Sequence, residues 1–232
     1  MDDARDLADR LESVRERIAG ACARSGRPPG SVRLLAVTKG FPPETVREAA
    51  ALGQREFGEN RVQEAEEKIA AAPPGTRWHL IGHLQRNKAK RAVQLFEAIH
   101  SVDSVPIAEE VSRRAVESSK RVPCLAEVNT SGDKTKFGVG PERALDLLRS
   151  MGSMPGIDLR GLMTIGPLSG GPDGARRAFR DLAAIRSEAQ RAGLLPPDAE
   201  LSMGMSEDFE IAIEEGATIV RVGSAIFGER PV

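Results

Sequence analysis

Eight short apolar runs, each followed by a loop and a helical pattern, constrain this chain more than any other feature. The runs cover 33–39, 54–58, 77–82, 97–102, 123–129, 159–165, 200–204 and 218–223. The segments 43–52, 60–71, 85–95, 104–119, 141–151, 173–193 and 206–215 between and after them are long enough for crossover helices. Strict alternation of this kind implies parallel strands, because parallel neighbours cannot be joined by a tight hairpin. Eight such units in 232 residues suit an α/β fold closed as a (β/α)8 TIM barrel, which typically takes roughly 250 residues. A doubly wound open sheet is the alternative. Ahead of the first run, Leu7, Leu11, Val14, Ile18 and Ala21 recur at spacings of four and three. That pattern predicts an extra N-terminal helix covering the barrel, stopped by Gly26-Arg27-Pro28-Pro29-Gly30. No linker or shift in composition divides the chain, so the expectation is one domain over 1–232.

A barrel of this type carries its active site at the C-terminal ends of the strands, often with a phosphate site after strands 7 and 8. The first run, Leu34-Leu35-Ala36-Val37-Thr38-Lys39-Gly40, ends in an amine. With period two, Leu35, Val37 and Lys39 share a face, and Phe41-Pro42-Pro43-Glu44 closes the strand and starts a helix. Desolvation at such a junction lowers the pKa of a lysine and frees it as a nucleophile toward carbonyls; a solvated strand end is the plainer reading. After the eighth run, Gly223-Ser224 allows a tight turn and offers N–H groups to a phosphate at a helix start. After the seventh, Ser206 reads as the N-cap of a helix over 207–215, with Gly216 as its stop. Both fall where the fold expects a phosphate. Arg221, inside an apolar strand, needs a partner, either a ligand or a core carboxylate such as Glu127. Asn60, His83, Asn129 and Thr164 are further polar groups at strand ends.

Composition narrows the chemistry. Lys plus Arg is 33, Asp plus Glu is 34, and the net charge is −1, which gives no electrostatic reason to expect nucleic acid or an anionic membrane. The basic stretch Gln85 to Arg91 has no interleaved aromatics and reads as a solvated helix face. Cys22 and Cys124 lie far apart without metal-ligand spacing, which argues for a reducing compartment and against a metal site. With no membrane-length apolar run and an acidic N-terminus, a cytoplasmic location is expected. There is no tyrosine, and the histidines are His79, His83 and His100.

The stretches LLAVTK (34–39), FGEN-VQE (57–64), WHLIGHLQRNK (78–88), EVNTSGDKTKFG (127–138), GLMTI (161–165) and SMGMSEDFEIAIEEGATIVRVGSAIFG (202–228) together resemble the pyridoxal 5′-phosphate homeostasis proteins. These are single-domain relatives of the alanine racemase barrel. The resemblance spans about residues 31–230. It implies a barrel that binds pyridoxal 5′-phosphate (PLP) as a Schiff base on Lys39, with the phosphate on Ser206, Gly223 and Ser224. It further implies Arg221 against the pyridine nitrogen, Asn60 near the ring, and Lys134 or Lys136 as a second amine near the mouth.

Two features of the residues then bear on turnover. Arginine can only donate, so Arg221 would leave the pyridine nitrogen unprotonated and the electron sink weak. In racemase relatives the second base is a tyrosine from a C-terminal domain, and here there is neither a tyrosine nor chain after Val232 to build one. The expectation is a PLP-binding protein without amino-acid turnover that helps control PLP supply, a monomer by default, with apo PLP-dependent enzymes as partners. The competing readings are a racemase using Lys39 with His83 or Cys124, and a barrel aldolase using Lys39 on a sugar phosphate.

Overall fold

The computed structural model describes residues 2–133, 135–167 and 169–229. Eight parallel strands close into a barrel in sequence order. They are β1 (Arg33–Val37), β2 (Glu56–Glu59), β3 (Arg77–Leu80), β4 (Ala98–Val102), β5 (Val122–Glu127), β6 (Ile157–Met163), β7 (Glu200–Ser202) and β8 (Ile219–Val222). The helices are α1 (Asp2–Arg24), α2 (Pro43–Ala51), α3 (Val62–Ala71), α4 (Ala89–Leu95), α5 (Val105–Glu117), α6 (Ala144–Gly152), α7 (Gly171–Arg191), α8 (Phe209–Glu214) and α9 (Ser224–Phe227). Closure is made by β1 against β8, with Leu35 opposite Arg221. The (β/α)8 expectation therefore holds, and the open sheet is ruled out.

Each strand is short and amphipathic in the barrel sense. One face packs on the helices, as Ala36, Phe57 and Trp78 do in the main apolar cluster, and the other points to the axis. α1 is the extra N-terminal helix that the sequence leads one to expect, and its apolar stripe joins the main core cluster. It packs against α8, α2 and the four-residue α9 that follows β8. Arg10 Nε donates to Ile226 O at 2.7 Å, and Arg17 bonds Glu210 at 2.9 Å while its guanidinium lies 4.5 Å over the Phe209 ring. Leu7, Leu11, Val14, Ile18 and Ala21 form its buried stripe.

The axis of the barrel is unusually polar. At its N-terminal end Arg33 bridges Glu56 and Glu200, and Arg77 also pairs with Glu56. Above them His79, His100, Ser202 and Arg221 are all buried and joined in a string of hydrogen bonds. Among the described residues no helix is long and apolar enough to cross a membrane.

Candidate functional site

At the C-terminal ends of the strands lies a cavity of about 320 Å³, within the usual size range of small-molecule sites. Its wall brings together Lys39 after β1, Asn60 after β2, Ser206 after β7, and Arg221, Gly223 and Ser224 at the end of β8. Val37, Phe41, Ile81, Ile165, Pro167 and Met205 supply apolar wall; Glu207 and Asp208 supply carboxylates. Lys39 sits in the turn that follows β1, where Phe41 N–H returns to Thr38 O at 3.0 Å. Pro43 in the first turn of α2 then redirects the chain, as the Pro-Pro sequence requires.

Ser206 is not a helix cap. α8 begins at Phe209 after Asp208, whose Oδ1 accepts Met205 N–H at 2.6 Å. The Ser206 hydroxyl instead accepts the N–H groups of Gly223 (3.3 Å) and Ala225 (3.2 Å) across to the β8–α9 turn. With its lone pairs engaged, its proton is what it retains for a further acceptor. The stub α9 has no helix dipole to speak of, so the attraction of this corner for an anion rests on individual N–H and O–H donors rather than on a macrodipole. Gly223 is needed for closeness: a Cβ there would come 3.1 Å from Val37 O. Gly82, which borders the adjoining groove, is held close to the β2 exit: a Cβ there would sit 2.5 Å from Asn60 O.

Arg221 is fully buried, and its partners are neutral: Nη1 donates to Ser202 Oγ and Nη2 to Thr164 O, each at 2.8 Å. The ion pair with Glu127 weighed from the sequence is not formed. Glu127 acts on Arg221 only through longer-range attraction, and Glu127 Oε2 has no hydrogen-bond partner. Burial pushes Glu127 up to about 7, with the charge of Asp103 adding to the rise and Arg221 opposing it. Burial likewise brings Arg221 down to about 10, so it stays cationic at neutral pH. Two of its five N–H donors are spent on these bonds, which leaves others for the cavity.

Other candidates fall elsewhere. His83 bonds Asp103 at 3.0 Å and stacks on Phe137 with ring centroids 3.8 Å apart; it is absent from the wall beside Lys39 and borders an adjoining groove instead. Cys124 is buried between barrel and helices, and desolvation raises its thiol pKa far above the ordinary value. Asn129 serves its own loop, accepting from Ser131 and donating to Asp133 O and Lys136 O. Lys136 Nζ donates to Gly166 O, and Lys134 lies outside the described residues.

Sequence reasoning missed Lys68, Glu59 and Glu64 behind β1, and Ser202 and His100 behind Arg221. Only the Glu64–Lys68 pair, four residues apart on α3, carries a local signal.

The donor set fits a phosphorylated aromatic aldehyde. It provides an amine, a cluster of N–H and O–H donors at one corner, a guanidinium, and apolar wall for a ring. The family model described as alanine racemase, N-terminal domain, matches residues 10–231. The pyridoxal phosphate homeostasis protein of Aquifex aeolicus is 44% identical over 97% of this chain and 99% of its own length. The structure of PipY of Synechococcus elongatus with PLP bound aligns at a TM-score of 0.82 and 40% identity, covering 96% of this chain and 100% of that one. An alanine racemase of Clostridium difficile shares the fold alone, at a TM-score of 0.77 and 14% identity over 100% of this chain and 61% of that one. The chain thus belongs to the alanine racemase N-terminal domain family and, within it, to the pyridoxal phosphate homeostasis proteins.

Proposed function

We propose that this chain, as one barrel domain, binds pyridoxal 5′-phosphate as a Schiff base on Lys39 and serves PLP homeostasis without turning over amino acids. The observation that carries the reading is the grouping of Lys39, Asn60, Ser206, Arg221, Gly223 and Ser224 on one cavity wall. When bound, PLP supplies an aldehyde that condenses with an amine with loss of water, and a phosphate that accepts several hydrogen bonds. Lys39 is the amine. Ser206 and Ser224 offer hydroxyl donors, and Gly223 keeps the wall free of a side chain so that an anion reaches the backbone. Arg221 would serve the ring nitrogen as a donor; because a guanidinium can only donate, it would leave that nitrogen unprotonated and withhold the charge that a strong electron sink needs.

The absence of turnover is supported by the positions of the alternative bases. His83 stacks on Phe137 outside the cavity wall, and the Cys124 thiol is buried and held protonated. Of the cavity carboxylates, Asp208 is tied to Met205 N–H and its pKa is raised by burial. The test is spectroscopic. Protein incubated with PLP should acquire a visible band that borohydride bleaches, leaving a pyridoxyl group mapped to Lys39 and missing in Lys39→Ala. An adduct on another residue, or a colourless protein, rejects the reading. Deuterium exchange at Cα of an amino acid in heavy water, lost in Lys39→Ala, would reject the non-catalytic half. Passage of the band to an apo PLP enzyme would identify the recipients proposed as partners.

A further inference from the structure

A second lysine sits close behind the first, and its surroundings are of a different kind. Lys68 on α3 is 1% exposed, and its ammonium donates to three acceptors: Thr38 O at 2.5 Å, Glu59 Oε1 at 2.6 Å and Glu64 Oε1 at 2.7 Å. An ammonium has three hydrogens, so this one is saturated and has no lone pair with which to react. Glu59, also fully buried, accepts a second bond from Thr38 Oγ1 at 2.5 Å. Glu64 Oε1 accepts a second bond from Gly40 N–H at 2.5 Å.

The contacts of this triad outside itself land on Thr38 and Gly40, the two residues that flank Lys39. We propose that Glu59, Glu64 and Lys68 are positioning residues that clamp the turn carrying Lys39 and so fix where its amine enters the cavity; this rests on the reading of Lys39 as the PLP-binding amine. Lys68 and Glu59 hold the carbonyl and hydroxyl of Thr38 on one side. Glu64 holds the N–H of Gly40 on the other. Between them the chain reverses, with Gly40 at φ +77° and Phe41 N–H bonded back to Thr38 O. A residue at the tip of a turn held at both ends has little freedom left in its backbone, and the approach angle of its side chain is set accordingly.

Stability alone does not account for the arrangement. A buried ion pair gains little net free energy over well-packed apolar side chains of similar volume, so leucine or methionine would fill this space at little cost beyond the hydrogen bonds to Thr38. What apolar side chains could not do is bond the backbone on either side of Lys39. Misplacing a reacting group by about 1 Å costs up to about a hundredfold in rate, and a clamp of this kind guards against that.

The experiment measures borohydride trapping of pyridoxal, which lacks the phosphate and so reads the amine without the phosphate corner. Peptide mapping gives the Lys39 adduct relative to adducts on surface lysines, an internal control for general reactivity. Glu64→Ala removes the acceptor of the solvent-accessible Gly40 N–H, and Glu59→Leu/Lys68→Met replaces the buried pair by apolar groups. In each, trapping at Lys39 should slow about tenfold while circular dichroism and a cooperative thermal transition show the chain still folded. Glu64→Gln, which keeps an oxygen in the same place, should recover most of the rate. Folded variants that trap pyridoxal at the unaltered rate would overturn the clamp and leave Lys39 as the PLP-binding amine. No Lys39 adduct in the unaltered chain would overturn the functional reading and the clamp with it.

Discussion

Two buried cations flank the cavity, and the groups that hold them differ in charge. Lys68, between the barrel and α3, is bonded to two carboxylates. Arg221, inside the barrel, is bonded to a hydroxyl and a carbonyl. Behind it the string continues through Ser202 to His100 and from His100 to His79, at 3.0 and 3.1 Å. Burial brings His79 down to about 3 and His100 well below the ordinary histidine value, so both rings are neutral. The Lys68 charge is compensated where it sits and contributes geometry. The Arg221 charge is oriented by neutral dipoles and left uncancelled by any bonded carboxylate, so it contributes field to the cavity. Burial alone does not separate a scaffold cation from a site cation; the formal charge of the bonded partners does.

The largest expected effect follows from removing the compensated cation. Lys68→Met leaves Glu59 buried with its charge unpaired, which should cost about 3–5 kcal/mol of folding stability, whereas the double variant Glu59→Leu/Lys68→Met strands no charge and should lose clearly less, chiefly the hydrogen bonds of Thr38. Burial already raises the Glu59 pKa while its bonds to Lys68 and Thr38 oppose the rise. The single variant should therefore be least stable above neutral pH and recover as acid protonates Glu59. Urea titrations of both variants at two pH values check this; equal losses in single and double variants would remove the distinction drawn between the two cations.

The next effect concerns the carboxylate that Arg221 does not bond. Glu127 rises from 4.5 to about 7 on folding, chiefly through burial. A raised carboxyl contributes stability that is fully present below about pH 4.5 and is lost as pH climbs through about 7. The shift corresponds to about 3 kcal/mol. Glu127→Gln should be more stable than the unaltered chain by about that much near pH 8 and no more stable below pH 4.5. Ionised, Glu127 would also set a negative charge against Arg221, so its titration bears directly on how much field the cavity receives. A flat difference between the two proteins from acid to alkaline pH would show that Glu127 keeps its ordinary pKa.

How far these features could be read in advance depended on distance along the chain. The alternation of runs and helical patterns is local, and it gave the eight strands, the helices and the strand exit at Lys39 correctly. Ser206 was misread because an N-cap is the local expectation for a serine before a helix, while its bonds to Gly223 and Ala225 cross from one strand end to the next. For Arg221 the sequence suggests a ligand or a core carboxylate such as Glu127 as partner, yet β5 and β8 are three strands apart in the closed order, and Ser202 on the neighbouring β7 takes the bond. The α1 helix is legible as an extra element from its own apolar spacing, but its partners α8, α9 and α2 are not, since they lie far from it along the chain. Glu64 and Lys68 are an i, i+4 pair and legible as such, but Glu59 and Thr38 join them only once β1 and β2 lie side by side.

The smallest change in stability is expected at the site cation itself. Arg221→Met leaves behind only neutral acceptors, and one of them, the Ser202 hydroxyl, still has His100 Nδ1 at 3.0 Å. The penalty is that of unmet hydrogen bonds, about 2 kcal/mol, and less than that of stranding the Glu59 carboxylate. The effect on ligand binding should run the other way. Removing Lys68 together with Glu59 changes no charge in the cavity wall, whereas removing Arg221 takes away its buried guanidinium, and the affinity for PLP should fall about tenfold, ~1.4 kcal/mol. On the proposed contact of Arg221 with the ring nitrogen, 4-deoxypyridoxine phosphate, which cannot react with Lys39, should lose affinity by the same factor. Equilibrium titration of that analogue against Arg221→Met and Glu59→Leu/Lys68→Met separates the two cations by function: a tenfold loss in the first with none in the second supports a site charge at Arg221, and equal affinities in both would make Arg221 a scaffold cation like Lys68.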